Sequence, residues 1–147
     1  SQVGTVAVSG GTLANCTVAR NTSRLCAGIY ATGGRVVNCL VSENESTNEN
    51  PTYGVYACDT SLLNGIFFNC LGELRMSTSS DVGENVFRKS SVGDFRLTRT
   101  SPAKDRGVYE SWMNGALDLR GNPRVRNRIP DVGAYEFQDF GFRVIVK

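Results

Sequence analysis

The sequence predicts an all-β chain: short parallel strands stacked in coils, followed by a β-rich closing segment. Three observations point there: few helix formers, an internal repeat whose copies begin at Gly10 and Gly33, and loss of that repeat after position 73. Val and Thr number 16 and 11, against 9 Ala, 3 Lys and 2 Met. Such a mix suits strands separated by turns. No stretch of ten residues keeps a helical apolar period, and Tyr109 to Leu117 allows at most one short helical turn.

The 147 residues are enough for one ordinary domain. Histidine is absent, which excludes Ser-His-Asp and Cys-His catalysis, His-ligated zinc and a histidine pH switch. A net charge of +2 gives no reason to expect nucleic acid as a partner. No apolar run approaches the ~20 residues of a membrane span. Nor does any motif imply a cofactor or a bound metal.

The repeat organises the first half. Gly10-Gly11-Thr12-Leu13-Ala14-Asn15-Cys16 returns as Gly33-Gly34-Arg35-Val36-Val37-Asn38-Cys39, and both phrases run on to an Asn, Asn21 and Asn44. A weaker copy, Thr60 to Cys70, aligns at a slightly longer offset and puts Asn64 beside Asn15 and Asn38. Gly28-Ile29-Tyr30-Ala31 likewise returns as Gly54-Val55-Tyr56-Ala57, at that same longer offset. Helical repeats need about 33 residues per unit. The step from Gly10 to Gly33 is too short for two helices and fits one coil of short strands. Stacked coils pair each strand with its counterpart at ~4.8 Å and bury a continuous interior. Leu13, Val36 and Leu62 then line up inside, as do Val18, Val41 and Phe67. Asn15, Asn38 and Asn64 form a structural ladder: each tolerates the left-handed backbone of a tight corner, and stacked amides bond to one another.

The Gly-Gly-x-apolar-x-Asn-Cys phrase resembles the right-handed parallel β-helix proteins of the pectin-lyase-like superfamily, over residues 1 to about 72. The expected domains are 1–73, about three coils, and 74–147, a closing segment. In the latter stand Asp94-Phe95-Arg96-Leu97, Ser101-Pro102-Ala103-Lys104-Asp105-Arg106-Gly107, Asp118-Leu119-Arg120-Gly121-Asn122-Pro123-Arg124 and Asp131-Val132-Gly133-Ala134-Tyr135-Glu136. These phrases resemble the closing region of bacterial surface β-helix proteins, the choice-of-anchor Q type; Lys104 departs from the aliphatic residue usual there. The resemblance implies a secreted or cell-surface protein, anchored to the outer membrane at full length.

Asp105, Asp118, Asp131 and Glu136 sit beside turn residues, where Asp caps backbone more often than it catalyses. With Arg124 they read as a structural charge network, Asp118 pairing with Arg124. Arg124, Arg126 and Arg128 alternate, so a strand would aim all three at one face, a candidate patch for an acidic polysaccharide. Tyr30 and Tyr56 are candidate sugar-stacking residues, though cross-coil packing is the commoner use of such pairs. No acids recur at one coil position, and no catalytic residue is assigned. The favoured function is a non-catalytic scaffold with a glycan-binding face. Its alternatives are a fragment of a polysaccharide lyase or glycoside hydrolase with catalytic coils upstream, and an adhesin or partner-docking module.

Cys16 and Cys39 fall in register, where side chains point in parallel, so free core thiols are expected rather than a disulfide. Phe87, Phe95, Leu97, Tyr135 and Phe137 are expected to cover the apolar end of the last coil. Val3, Val6 and Val8 begin without a polar cap, so an upstream continuation of the natural protein is expected, and for this chain a homodimer through the first coil.

Overall fold

The computed structural model describes residues 6–23, 27–46, 55–57, 67–68, 71–72, 86–126 and 128–138, and they form an all-β architecture with no α-helix among them. The strands are β1 Val6–Ala14, β2 Thr17–Ala19, β3 Thr22–Ser23, β4 Ile29–Val37, β5 Leu40–Ser42 and β6 Glu45–Ser46. After them come β7 Val55–Ala57, β8 Phe67–Phe68, β9 Leu71–Gly72, β10 Phe87–Lys89 and β11 Asp94–Leu97. Three small sheets are parallel: β4 pairs with β1, β7 and β8; β5 pairs with β2 and β9; β3 pairs with β6. An antiparallel hairpin, β10–β11, stands apart.

The repeat sets the register of the first two units. Val6 pairs with Ile29, Leu13 with Val36, Val18 with Val41 and Thr22 with Glu45, all at the offset that separates Gly10 from Gly33. Each corner recurs with the same offset. Asn15 and Asn38 have φ of 51° and 49°, and Arg20 and Glu43 have φ of 55° and 56°. Asn at the first corner lowers the cost of that backbone; Arg and Glu at the second have no such advantage. Between the glycine pairs the backbones almost touch: a Cβ on Gly34, whose φ is +79°, would lie 2.7 Å from the carbonyl carbon of Gly10. Glycine is needed there for space as much as for φ.

The third unit departs from the sequence alignment. Ile29 pairs with Val55 as the recurrence of Gly28 at Gly54 requires, but Val36 pairs with Phe67 and Leu40 with Leu71, a longer step. Phe67 therefore stands opposite Val36, not Val41. Counted along the sequence, the step from Val36 to Phe67 taken from Asn38 and Cys39 reaches Asn69 and Cys70, a third Asn-Cys pair. Asn64, Asn69 and Cys70 themselves lie outside the described residues, as do Leu62, Tyr53, Cys26 and Cys58.

Alternation along β5 divides two cores. Val41, with Val18, Ile29, Ala31, Val36 and Cys39, belongs to the cluster enclosed by the repeats, where Val6 and Leu13 are partly buried. Leu40 points the other way and packs with Val86, Phe87, Leu97, Ala103 and Val132 of the C-terminal segment. Covered on both faces, β5 carries adjacent apolar residues, Leu40 and Val41, both fully buried. Cys16 and Cys39 are free thiols. Their hydrogen bond, then burial, hold the Cys16 thiol far above its ordinary range, which disfavours the reactive thiolate.

The C-terminal contacts correct one expectation. Phe87 and Leu97, with Phe95 and Phe137 at the margin, cover Leu40 and Ala19 on the flank of the first two units. They buttress a wall there. The wall has a use for them: the outward residues of β2 and β5 include an apolar Leu40 that would otherwise face water.

Candidate functional site

The segment docks through polar groups as well as apolar ones. Gly133 N–H donates to the Asn38 carbonyl at 2.8 Å, and Ala134 N–H to Thr17 Oγ1 at 2.9 Å. The Asn38 amide donates to the Val108 carbonyl (2.8 Å) and accepts from Val108 N–H (2.9 Å). The surrounding donors assign the Asn15 amide with its oxygen toward Arg124, where it accepts from Nε at 3.2 Å and Nη2 at 2.5 Å. These corner side chains thus hold the C-terminal segment, whereas the expected ladder had them bonding along the stack. An amide-to-amide rung does form one corner further on: Asn21 Nδ2 donates to Asn44 Oδ1 at 2.9 Å. The signal was the last matched residue of the repeated phrase.

Arg124 is the centre of the charge network. Only 3% exposed, it donates to the carbonyls of Asp131 (3.0 Å) and Gly133 (2.5 Å). Its ion-pair partner is Glu136, at 3.3 Å, rather than Asp118. Asp118 instead accepts from Arg120 N–H, from Asn122 N–H and from Glu136 N–H, at 2.8, 2.8 and 3.0 Å. Asp131 accepts from Asp105 N–H (2.6 Å) and Phe137 N–H (2.5 Å), while the Asp105 side chain stays exposed beside Lys104. These carboxylates tie main-chain turns to one another, as side chains in polar turns do.

Three buried carboxylates around one guanidinium do not ionise equally. Burial works to raise Asp118, but the bonds from Glu136 N–H, Asn122 and Arg120 N–H outweigh it and hold its carboxyl below the usual range. Glu136 is pushed up to about 8, by burial first and by Asp131 next, against the pull of Arg124. Between its ordinary 4.5 and about 8, an unfolded chain releases this proton and the folded chain keeps it. Stability from this group is then fully present below about pH 4.5 and falls as pH rises to about 8. Denaturant melts should show on the order of 2–4 kcal/mol lost across that window, a slope that Glu136→Gln flattens. An unchanged slope in the variant would assign it to another group.

Outside the buttress the hairpin forms a basic groove. In β10 and β11, Phe87, Phe95 and Leu97 point to the core, with Phe87 and Phe95 edge to face at 5.3 Å. Alternation turns Arg88 and Arg96 outward. Together with Arg99, Arg120 and Tyr135 they line a groove of about 410 Å³. Arg96 is held by Asp94, its Nε 2.6 Å from Oδ1 and its Nη2 2.5 Å from Oδ2. That pairing, more than any other cause, keeps the Asp94 carboxyl down at about 2. Among the described residues, no carboxylate pairs with Arg88, Arg99 or Arg120.

The residues expected at a glycan face are thus dispersed. Arg124 is buried, whereas Arg126 and Arg128 are exposed, and no strand aligns the three. Arg128 turns with φ of 71°, and Arg126 donates to Gln138 at 3.0 Å. Tyr30 and Tyr56 stand in register on β4 and β7, with Tyr30 half-buried. The groove arginines were legible only as the alternation Phe95-Arg96-Leu97; what gathers Arg88, Arg99 and Arg120 around Tyr135 is the fold. No group of three metal-ligating side chains occurs among the described residues, and no helix there is long and apolar enough to cross a membrane. No protein-family model, curated protein or solved structure matches the chain.

Proposed function

We propose that the chain is a non-catalytic segment of a right-handed parallel β-helix protein of the cell surface, and that its arginine groove binds an acidic polysaccharide. The coil reading is supported by the one offset shared by three separate parallel sheets and by two positive-φ corners. Right-handed winding is the rule for parallel crossovers. Secretion and anchoring rest on the resemblance of the C-terminal phrases alone.

One observation carries the binding reading: Arg88, Arg99 and Arg120 line a single groove with no carboxylate partner among the described residues. A guanidinium matches a carboxylate by two parallel bonds, and Tyr135 offers a flat apolar face between them. The displaced carboxylates support a scaffold over a lyase or hydrolase, because Asp118, Asp131 and Glu136 are engaged by main-chain N–H groups. A general acid needs a free proton path to substrate.

Affinity electrophoresis provides the test. Polygalacturonate in the gel should retard the protein, dextran should not, and added salt should weaken the retardation. The triple variant Arg88→Gln/Arg99→Gln/Arg120→Gln should lose about tenfold or more in affinity while melting like the parent. Retention of binding by that variant, or equal retardation by DNA, would refute a polysaccharide groove.

A further inference from the structure

We propose that a second groove, between β1 and the 3₁₀ turn Ser111–Met113, is a stacking site for an uncharged sugar ring with Trp112 as its platform. The groove encloses about 650 Å³ and is lined by Thr12, Leu13, Arg35, Glu110, Ser111 and Trp112, among others. It shares no residue with the arginine groove and goes beyond the acidic-polysaccharide reading.

Trp112 is the only tryptophan of the chain and is 50% exposed. An indole left half in water forgoes much of the gain of burial. Yet this one is anchored. Its Nε1–H donates to Glu110 Oε2 at 2.8 Å, and Glu110 Oε1 receives Arg35 Nη2 at 2.5 Å. Arg35 belongs to β4, where it pairs in register with Thr12 of β1. The ring is therefore oriented from the strand framework through two bonds, with its torsional freedom reduced before any ligand arrives. Pre-organisation of this kind lowers the entropic cost of binding.

The chemistry of the lining selects the ligand class. Arg35 and Glu110 neutralise each other, so the groove has no surplus charge to attract an anion or a cation. Leu13 and the indole face supply an apolar surface. Thr12 and Ser111 bring hydroxyls, and the Arg35–Glu110 pair offers further donors and acceptors at the rim. A neutral pyranose has the matching form, with C–H groups on one face and hydroxyls around its edge. A purely apolar ligand would leave the polar rim unmatched, which costs affinity.

Because Trp112 is the sole tryptophan, its emission reports this site directly. The full chain is titrated with cellohexaose, xylohexaose and mannohexaose, with hexagalacturonate as the charged control. At least one neutral oligomer should give a saturable emission shift, with half-saturation in the range of roughly 0.1–5 mM. Calorimetry on Trp112→Ala should then show no binding heat, and Trp112→Phe should bind about tenfold more weakly. Both variants should melt near the parent temperature, since the side chain is half in solvent. The Arg88→Gln/Arg99→Gln/Arg120→Gln variant should keep the full emission response, so failure at one groove is distinguishable from failure at the other. The proposal is overturned if none of the three neutral oligomers shifts the emission at about 10 mM. It is equally overturned if Trp112→Ala binds like the parent, or if emission shifts with protein concentration alone, which would mark a second chain on this surface.

Discussion

Arg124→Met is expected to destabilise the protein by about 3–5 kcal/mol, enough to unfold the C-terminal buttress at moderate urea. Methionine keeps much of the volume and removes the charge. Left behind are Asp118, Asp131 and Glu136, all 7% exposed or less, together with the carbonyls of Asp131 and Gly133, which lose a donor. The Asn15 amide loses its partner as well. Breaking a buried pair from one side costs far more than replacing both partners. At neutral pH the folded chain already holds Glu136 protonated, so the double variant Arg124→Met/Glu136→Gln should unfold near the midpoint of Arg124→Met, the loss coming from Asp118 and the unpaired carbonyls. Urea unfolding followed through Trp112 emission measures both. A single variant with the parental midpoint would mean that Arg124 does not hold the segment together.

Gly133→Ala is expected to cost about 2–4 kcal/mol and to lower the melting temperature by on the order of 10 °C. Gly133 has φ of +102°, a backbone that alanine adopts only under strain. Its new Cβ would also lie 2.7 Å from Thr17 Oγ1 and 3.1 Å from Leu40 Cβ. Relief would require the segment to lift from the wall. Two bonds are at stake in that movement, Gly133 N–H to Asn38 O and Ala134 N–H to Thr17 Oγ1. Thr17→Ala in the same chain should return little of the loss, since it relieves the contact with Oγ1 but deletes the Ala134 bond and leaves the φ strain and the Leu40 contact. A parental melting temperature for Gly133→Ala would show that the docked geometry is not what stabilises the protein.

Both expectations arise at the joint between the repeats and the C-terminal segment, which the sequence marked only indirectly. Asp131-Val132-Gly133-Ala134-Tyr135-Glu136 stood out as a phrase, and its acids read as turn-forming. What the phrase touches was hidden. Asn38 and Val108 are 70 residues apart, and Ala134 and Thr17 are 117 apart. No local periodicity encodes such distances. The expected pair of Asp118 with Arg124 does not form, because Asp118 is consumed by nearer backbone donors and leaves Arg124 to Glu136.

The third repeat shows where counting along a sequence stops being enough. The alignment through Asn64 kept the offset of Gly28 to Gly54 throughout, whereas extra chain lies between the pairs Ala31–Ala57 and Val36–Phe67. Residues added between two strands cost little entropy, so later strands can pair at a longer step.

The sequence by itself determined the all-β class, the register of the first two units, the Asn corners and the free thiols at Cys16 and Cys39. Each follows from a residue's own backbone preference or from exact recurrence, and both are local properties. Tertiary structure alone decided that Arg124 is buried, that Arg88, Arg99 and Arg120 share a groove, and that Arg35 of one unit orients Trp112 through Glu110. An arginine reads the same in a sequence whether it faces water or three carboxylates. Only the packing of distant segments against Leu40 and Thr17 separates those two cases.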